Sequence, residues 1–554
     1  MSTSPVAGSS AASLASPRVA VKDMVVAAAL YLVGAILLWL TAPHDGEFWW
    51  SDSPRHALNG VFIKDLVAAF PWRDPAGFAA QYYVQYPALT ILFYPPLFYL
   101  VSAPFFAIFG VSHATGLIVV LVHYFALALG LYALARRWLN VPLSLAVGLS
   151  IMAVPGVALW GRQVMLEVPA MAFAVWGFVL LRRYLDANRT PLLYGGAFLL
   201  LCAIYTKFSA IFLVPVAALM ILVAQGADAW RNRHSWIAAA LFVVGFIPVA
   251  LLTLKFGQAN VQSVTGIADA EVSRASLAGW IWYAKQLPEQ IGWPLLIAAI
   301  LGIPAAWLSR RGLDRTDYTL LIGWFTVGYL FFSLIDLKEA RHSTLMLPPL
   351  LIAVGLAVDR LPPVRLRTIA AILLVVGTGI CGWRYSPVPS VAGYREAADW
   401  IAANAPKNAV ILFSGKRDGS FVFNLRRRED RRDLFIIRAD KLLLDVAVRR
   451  ELGVDQKQYT AEQIGAMLDR YGVQYVVAQT DFWTDLAVMA RFQEVLRTDQ
   501  FEALTTIPVV ANVGTEDKEL RIFRNTHPIE PGRAGIRLDL PIIGRSLEGS
   551  VGAP

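Results

Sequence analysis

Residues 44–56 read HDGEFWWSDSPRH and directly follow a long apolar run from Met24 to Thr41. The segment holds three carboxylates, two histidines and one arginine, interleaved with aromatic residues. Tryptophan is enriched where a chain leaves the bilayer, so this charged segment is expected at or just above the membrane interface. We hypothesise that Asp52 is a catalytic carboxylate at the membrane surface. The alternative is an ordinary charged interfacial loop.

The composition is typical of an integral membrane protein. Of the 554 residues, 57% are hydrophobic and 16% are charged, whereas about a quarter of the residues of a soluble domain are charged. The net charge of +9 then indicates Lys and Arg kept in short cytoplasmic loops, not nucleic-acid binding. Cys202 and Cys381 both lie in apolar runs, which argues against a disulfide framework or a cysteine metal site. Residues 1–20 are expected to form a disordered tail.

About eleven membrane spans are predicted, because a spanning helix needs about 20 mostly apolar residues. One further apolar stretch, 88–109, is ambiguous. Short cytoplasmic loops collect Lys and Arg, and the six basic clusters of the chain share one side only if this stretch does not cross. Its Pro95 and Pro96 remove two backbone donors, so we interpret it as a juxtamembrane or re-entrant segment. The predicted spans are 24–41, 115–135, 141–159, 166–181, 192–206, 208–225, 235–254, 292–308, 318–335, 343–359 and 366–384.

The predicted fold is therefore an all-α polytopic membrane bundle over residues 21–386, with an outer juxtamembrane loop at 43–110. The N-terminus is expected inside and the C-terminus outside. Residues 387–527 are predicted to form a soluble α/β domain on the outer face, because strand-like and helical patterns alternate there. Residues 528–554 are expected to form a flexible tail.

Within the soluble domain, AVILFS at 409–414 and VQYVVAQ at 473–479 are typical of buried strands, and 392–405 and 461–471 of helices. The turn Gly415–Gly419 (GKRDG) directly follows the first strand. It matches neither a Walker loop nor a dinucleotide fingerprint. A tight basic turn and a phosphate-binding turn are the two alternatives.

The predicted topology places several polar groups on the outer face, beginning with Asp52. The sequence Asp-Ser-Pro can cap a helix, with Pro54 in its first turn, and the spacing from Arg55 to Phe70 predicts an amphipathic helix. A helix N-terminus favours an ionised carboxylate. An ionised carboxylate can act as a general base.

Two further groups flank spans on the same side. Glu167 and Arg162 can both face the outer vestibule, or they can form a local pair that holds the loop. A carboxylate at the edge of a span is costly unless it is paired or solvated. Lys207 either extends to the interface or binds a phosphate.

The patch Asp336–His342 (DLKEARH) lies between two predicted spans on the outer side. Its Lys338 and Arg341 run against the positive-inside trend. Binding of a lipid phosphate would explain them, since arginine holds phosphate bidentately. A plain charged loop is the alternative.

Taken together, these motifs resemble those of the GT-C membrane glycosyltransferases. The branch they resemble contains the dolichyl-phosphate-mannose protein mannosyltransferases and the bacterial aminoarabinose-to-lipid-A transferases. The resemblance covers about residues 20–385. The matching features are the acidic first outer loop, Tyr-Pro-Pro-Leu-Phe-Tyr at 94–99, Arg-x4-Glu at 162–167, Thr-Lys at 206–207 and Lys-x-x-Arg-His at 338–342.

The resemblance implies inverting transfer of a sugar from a polyprenyl-phosphate donor to a glycan, lipid or protein acceptor on the outer face. A periplasmic site at a bacterial inner membrane is expected, with membrane lipids as partners and no nucleic acid. Asp52 falls on the catalytic acidic position and Glu167 on the second acidic position, and both are predicted to be catalytic. The candidate substrate-binding residues are Glu47, Arg55, His56, Tyr94, Arg162, Lys207, Lys338, Arg341 and His342.

The chain departs from many relatives at Asp52–Ser53, where they have Asp-Glu. The partner carboxylate is then Glu47, or it is missing. The sequence assigns no cofactor, and a divalent cation held by Asp52, Glu167 and a histidine is one alternative. However, no pair of histidines has metal-ligand spacing. The rival function is a transporter or flippase of lipid-linked sugars or other anions, which would favour repeated halves and charges near mid-bilayer.

Overall fold

The computed structural model describes residues 20–257, 272–308, 313–384, 387–446, 450, 453–527, 534–540 and 545–551. A helical bundle is followed by a domain that contains strands. This agrees with the predicted order of a membrane bundle and a C-terminal α/β domain.

Within the described residues, six helical segments are long and apolar enough to cross a membrane, or eight if each of two bent helix pairs is one span. The bent pairs turn by 63° after Ala153 and by 114° after Ile291. Every predicted span overlaps a helix, but the count of eleven is not confirmed. The six segments are Val21–Leu40, His113–Ala135, Glu167–Ala187, Phe208–Gln225, Arg233–Phe256 and Ala340–Val358.

The other helices of the bundle are shorter, less apolar or bent. The stretch 88–109 contains the helix Leu97–Phe109, whose 13 residues reach about 20 Å, less than a hydrocarbon core of about 30 Å. That length fits the predicted juxtamembrane segment. The remaining helices are Asp52–Ala69, Pro75–Gln85, Val141–Ala153, Pro155–Gly161, Thr190–Thr206, Asp228–Arg231, Leu277–Ile291, Trp293–Leu308, Arg315–Ser333 and Val364–Arg384.

Two of these, helix α1 (Asp52–Ala69) and helix α2 (Pro75–Gln85), form the juxtamembrane layer after the first span. The predicted helix at 55–70 begins three residues earlier than expected, at Asp52. Ser51 occupies the N-cap position and no side chain caps the helix, so the possible capping role of Asp52 is not realised. Asp52 is instead the first residue of the helix, and Pro54 follows it in the same turn.

Three loops that were predicted to be cytoplasmic meet at one end of the bundle. The Arg137 Nε and the Arg182 Nε each donate to Asp317 Oδ1 at 2.8 Å. Arg137 also pairs with Asp186 at 2.5 Å. The basic clusters near 136, 182 and 315 therefore share one side of the molecule, as their charge pattern predicted.

The C-terminal domain is built around a five-stranded mixed sheet. Strand β1 (Val410–Ser414) pairs in parallel with β2 (Phe435–Arg438) and β3 (Val473–Ala478). Strand β5 (Glu519–Asn525) runs antiparallel between β3 and β4 (Phe501–Pro508). Both predicted strands and both predicted helices are present, the helices at Tyr394–Asn404 and Ala461–Arg470. The remaining helices and strands of the domain are Asp418–Arg426, Ala439–Leu443, Ala487–Val495, Val391–Ala392, Leu444–Val446, Val454–Gln456 and Val510–Ala511, with a short 3-10 helix at Glu429–Arg431. The membrane bundle also contains short 3-10 helices at Phe208–Phe212 and Ala340–Met346.

The end of the chain differs from the expected flexible tail. The strands Ala534–Leu540 and Arg545–Val551 form an antiparallel hairpin. The hairpin packs on α2, where Gln81 Nε2 donates to the Ser550 carbonyl at 2.9 Å. Buried Ile536, Leu538 and Val551 supply its apolar contacts.

Helix α1 packs beside helix α3 (Asp418–Arg426) of the C-terminal domain. Two ion pairs join them: Arg55 with Asp418 at 2.8 Å and Asp65 with Arg426 at 2.5 Å. Because both residue numbers increase from the first pair to the second, the two helices run in the same direction. The C-terminal domain therefore rests directly on the juxtamembrane layer.

Candidate active site

Asp52 forms an ion pair with a residue 289 positions later in the chain. The Arg341 Nη1 donates to Asp52 Oδ2 at 2.8 Å. Burial alone would raise the pKa of Asp52, but the Arg341 guanidinium, with smaller contributions from His56 and Arg55, holds that pKa well below its ordinary value. Asp52 is therefore an ionised carboxylate at neutral pH.

A second ion pair joins two residues from the edges of membrane helices. The Lys207 Nζ donates to Glu167 Oε1 at 2.6 Å, and the side chains are 15% and 2% exposed. The local Arg162–Glu167 pair, one of the two alternatives in the sequence, is not formed. Glu167 Oε2 has no hydrogen-bond partner among the described residues.

The two ion pairs belong to one charged cluster. Arg341 lies within electrostatic range of both Glu167 and Lys207, and His56 lies within range of all four charged groups. We call Asp52, Arg341, Glu167 and Lys207 the charge cluster. Its members come from four separate segments, and the tertiary fold brings them together.

His56 and Tyr94 line the same cluster. The buried His56 ring shares a hydrogen bond between its Nδ1 and the Tyr99 hydroxyl at 2.9 Å and packs edge-on against Tyr94. Burial lowers the pKa of His56 to about 4 despite the attraction of Asp52, so the ring is neutral at pH 7. Burial, together with the Asp52 charge, holds the pKa of Tyr94 well above its ordinary value.

The remaining residues of the predicted patch lie beside Arg341. The Lys338 Nζ donates to the Phe332 and Ser333 carbonyls at 3.2 and 2.7 Å, so it closes a helix C-terminus. The His342 ring stacks on Phe332, and its Nδ1 is buried without a hydrogen-bond partner among the described residues. His342 therefore keeps an unused polar atom beside Arg341.

Three predicted site residues form no ion pair with the charge cluster among the described residues. Arg55 is held by Asp418 of the C-terminal domain. Glu47 and the buried Arg162 line a cavity of about 510 Å³ between the first loop and the C-terminal domain. The structure shows no contact of Glu47 with Asp52 among the residues it describes, so Glu47 is not placed as its partner carboxylate.

Three neighbours of the cluster were not among the predicted site residues. Glu339 pairs with the Arg341 Nε, Trp160 lies under the Arg341 guanidinium at 6.0 Å, and Tyr99 binds His56. Glu339 lies inside the predicted patch and Tyr99 ends the quoted motif at 94–99, so both carried a signal. Trp160 ends an apolar run, and nothing in its spacing distinguishes it from a packing residue.

Two further expectations concern ligands of the protein. In the described part of the chain, no group of three or more His, Cys, Asp or Glu side chains is placed to hold a metal ion. The basic turn at 415–419 directs its cations at protein groups, Lys416 to Glu516 and Arg417 to Asp517. These pairs support the tight basic turn over the phosphate-binding turn.

A family model and several solved structures match this chain. The model of the dolichyl-phosphate-mannose-protein mannosyltransferases matches residues 94–251. ArnT from Cupriavidus metallidurans, bound to undecaprenyl phosphate, is 15% identical with a TM-score of 0.61, and the match covers 93% of this chain and all of ArnT. A search of curated protein sequences finds no significant match.

Two other solved structures share the fold. The Archaeoglobus fulgidus oligosaccharyltransferase is 12% identical with a TM-score of 0.54, over 87% of this chain and 73% of that one. The arabinofuranosyltransferase AftD from Mycobacteria is 14% identical with a TM-score of 0.51, over 95% of this chain and 43% of that one. These matches confirm the predicted resemblance at the level of the fold.

Proposed function

Because this chain has the fold of the GT-C membrane glycosyltransferases, we propose that it transfers a sugar from a polyprenyl-phosphate donor to an acceptor on the outer face of the membrane. The observation that carries the proposal is the Asp52–Arg341 pair at 2.8 Å, next to the Glu167–Lys207 pair. The undecaprenyl phosphate bound to ArnT and the dolichol-phosphate bound to the Archaeoglobus fulgidus protein support a lipid-phosphate ligand for such a fold.

The proposed donor site uses the cations of the charge cluster. Arg341 and Lys207 receive the donor phosphate, with His342 beside them. Charge accumulates on that phosphate as its bond to the anomeric carbon breaks, and fixed cations in a site of low polarity stabilise it. The leaving group is the polyprenyl phosphate, which keeps the electron pair of the broken bond.

Asp52 is the proposed general base. It accepts the proton of the acceptor hydroxyl or amine as the acceptor atom bonds to the anomeric carbon from the face opposite the phosphate, which inverts the configuration. A phosphate at Arg341 offsets the guanidinium charge that lowers the pKa of Asp52. Donor binding therefore makes Asp52 a stronger base when it is needed.

Glu167 has a positioning role in this scheme. Its pair with Lys207 holds the ammonium group at the cluster while the site is empty. The named transferase activities of AftD and of the Archaeoglobus fulgidus protein support transfer over transport for this fold. Hexosyl and pentosyl donors both fit the proposal.

The test begins with the sugar itself. Mass spectrometry of glycans and lipids from a deletion strain identifies the missing modification and the lipid-linked sugar that accumulates. Purified protein in liposomes that contain this lipid pool should then restore transfer. Asp52→Asn should lower the rate by about 100-fold or more, whereas Arg524→Gln, on an exposed pair with Glu502 in the C-terminal domain, should leave it unchanged.

Arg341→Gln tests the electrostatic part of the proposal. Without the guanidinium, the pKa of Asp52 rises. On acidification, Asp52 is then protonated, and activity is lost, at a higher pH than in wild type. The acid limb of kcat/KM should move up by about 1 to 3 pH units, alongside a lower maximum. Wild-type rates in both Asp52→Asn and Arg341→Gln, at normal expression, would show that the charge cluster is not the active site.

A further inference from the structure

The C-terminal domain holds the loop that leads to Asp52 by its backbone. Four main-chain carbonyls of this loop, those of Asp45, Gly46, Phe48 and Trp49, each accept a hydrogen bond from a side chain of the domain. The donors are, in the same order, Arg395 at 3.2 Å, Asn424 at 3.1 Å, Ser420 at 3.5 Å and Arg417. Side chains that bind carbonyls fix the course of the chain.

Helix α3 extends this contact to the first turn of α1. A Cβ added at Gly419 would lie 3.2 Å from Pro54, so the two helices touch at that point. The Asp65–Arg426 pair, with exposures of 2% and 0%, joins them two to three turns further on. The position of α1 relative to the C-terminal domain is therefore fixed at both ends of the contact.

Arg55 connects this contact to Asp52. It lies three residues after Asp52, on the same face of the helix. Its Nη1 donates to the Ser51 carbonyl at 2.9 Å, and its Nη2 donates to both oxygens of Asp418 at 2.8 Å. Asp418 also pairs with Arg438 at 2.6 Å. One buried carboxylate thus holds the helix turn that carries Asp52.

We propose that Asp418 of the C-terminal domain is a positioning residue for glycosyl transfer, which acts through Arg55 to hold Asp52 at the anomeric carbon. This rests on the proposed function of Asp52. The domain is then a working part of the active site, because a displacement of about 1 Å in a reacting group can cost about 100-fold in rate. Donor binding uses Arg341 and Lys207, which Asp418 does not contact. A change at Asp418 should therefore leave donor binding intact.

The test compares Asp418→Asn, Asp418→Glu and Asp485→Asn in the full-length protein in nanodiscs. Asp485 is a matched control, because its exposed pair with Arg450 involves no residue of the 45–55 segment. Hydrogen exchange of residues 45–55, binding of undecaprenyl phosphate and the kcat of transfer are measured together. Asp418→Asn should speed exchange at 45–55 at least tenfold and lower kcat at least tenfold, with lipid binding within twofold of wild type.

A purely structural role predicts a different pattern. The hydrogen-exchange rate would then increase in β1 and β3 of the domain as well. The apparent kcat would fall only in proportion to the loss of folded protein. Asp418→Glu should recover part of kcat, and Asp485→Asn should match wild type. If Asp418→Asn does not fold, Asn424→Ala decides. It removes the bond to the Gly46 carbonyl, together with a bond to the Ser420 carbonyl within the same helix, and should speed exchange at 45–49 and lower kcat.

Unchanged exchange at 45–55, or faster exchange with wild-type kcat, would overturn the inference. The two proposals fail in distinguishable ways. If wild type transfers no sugar, the proposed function fails, while the exchange measurement still decides whether the C-terminal domain holds the loop.

Discussion

At the scale of single residues, the charge cluster depends on a balance between burial and pairing. Asp52 stays ionised because Arg341 lies 2.8 Å away, whereas burial by itself would favour the neutral acid. His56 shows the opposite outcome, since burial overrides the attraction of Asp52 and keeps the ring neutral. Of two neighbouring buried groups, one can thus be ionised and the other neutral, because their nearest partners differ.

The buried His56 should make the protein sensitive to acid. Its pKa is lowered to about 4 in the folded protein, against about 6.5 in an unfolded chain. Above pH 6.5 the ring is neutral in both states and the free energy of unfolding is not reduced. As the pH falls from 6.5 to 4, the unfolded chain binds the proton first, and the free energy of unfolding falls by up to about 3 kcal/mol. Wild-type melting temperature should therefore fall more steeply over this range than that of His56→Gln, measured by thermal unfolding in detergent.

A control variant separates this effect from the loss of any histidine. His527→Gln removes a half-exposed ring on the C-terminal domain and should retain the steep wild-type dependence. Parallel curves for wild type and His56→Gln between pH 6.5 and 4 would contradict the assignment.

At the scale of elements, the site is assembled from helix ends. Asp52 begins α1, Glu167 begins a membrane helix, and Lys207 directly follows the helix Thr190–Thr206. Such positions expose polar groups at the edge of the apolar layer, and the facing helices supply partners. A buried charge at a helix end is costly unless it is paired. The stability of these helices in the folded protein therefore depends on the ion pairs between their ends.

The Glu167–Lys207 pair should show this dependence directly. Glu167→Met or Lys207→Met alone leaves a buried charge without its partner and should destabilise the protein by about 3 to 5 kcal/mol. The double variant removes both charges and should melt at a higher temperature than either single variant. Asp228→Asn with Arg231→Gln, an exposed pair at 82% and 83%, should leave the melting temperature unchanged. Additive losses in the double variant would argue against a coupled pair.

The loop before α1 requires glycine at position 46. Gly46 has φ +89°, and a Cβ there would lie 2.5 Å from the Asn424 Oδ1. Gly46→Ala should lower the melting temperature and speed hydrogen exchange at 45–49, with a backbone cost of about 1 to 2 kcal/mol before the clash is added. Gly514→Ala adds its Cβ in open space and should behave like wild type. Equal effects of the two changes would show that the contact with Asn424 is unimportant.

At the scale of the whole molecule, two polar ends face away from each other across the apolar bundle. One end joins the loops at Arg137, Arg182 and Asp317 by ion pairs. The other end carries the charge cluster and, through the juxtamembrane layer, the C-terminal domain. The positive-inside trend predicts that the first end faces the cytoplasm and the second faces the outside.

This orientation is open to a labelling test. In a background with Cys202→Ala and Cys381→Ala, the exposed Glu516 of the C-terminal domain and Asp228 of a predicted cytoplasmic loop are each replaced by cysteine. An impermeant maleimide should label position 516 in intact spheroplasts and position 228 only after permeabilisation. The reverse pattern would place the charge cluster on the cytoplasmic side and defeat transfer on the outer face.

The sequence predicted more of the architecture than of the site. Apolar length and the placement of Arg and Lys located a helix at every predicted span, because both follow from the bilayer itself. The strands at 410–414 and 473–478 followed from their mostly apolar composition, rich in β-branched and aromatic residues. The span count was not confirmed, because apolar composition alone does not reveal where a helix bends.

The sequence by itself determined a membrane bundle with polar outer loops, and it named the four members of the charge cluster. Only the tertiary structure decided how they pair: Arg341 with Asp52, and Lys207 instead of Arg162 with Glu167. It also decided that Arg55 binds Asp418 and that a hairpin replaces the expected tail. The physical reason is that residues 40 to 363 positions apart meet only through helix packing, which local spacing does not encode.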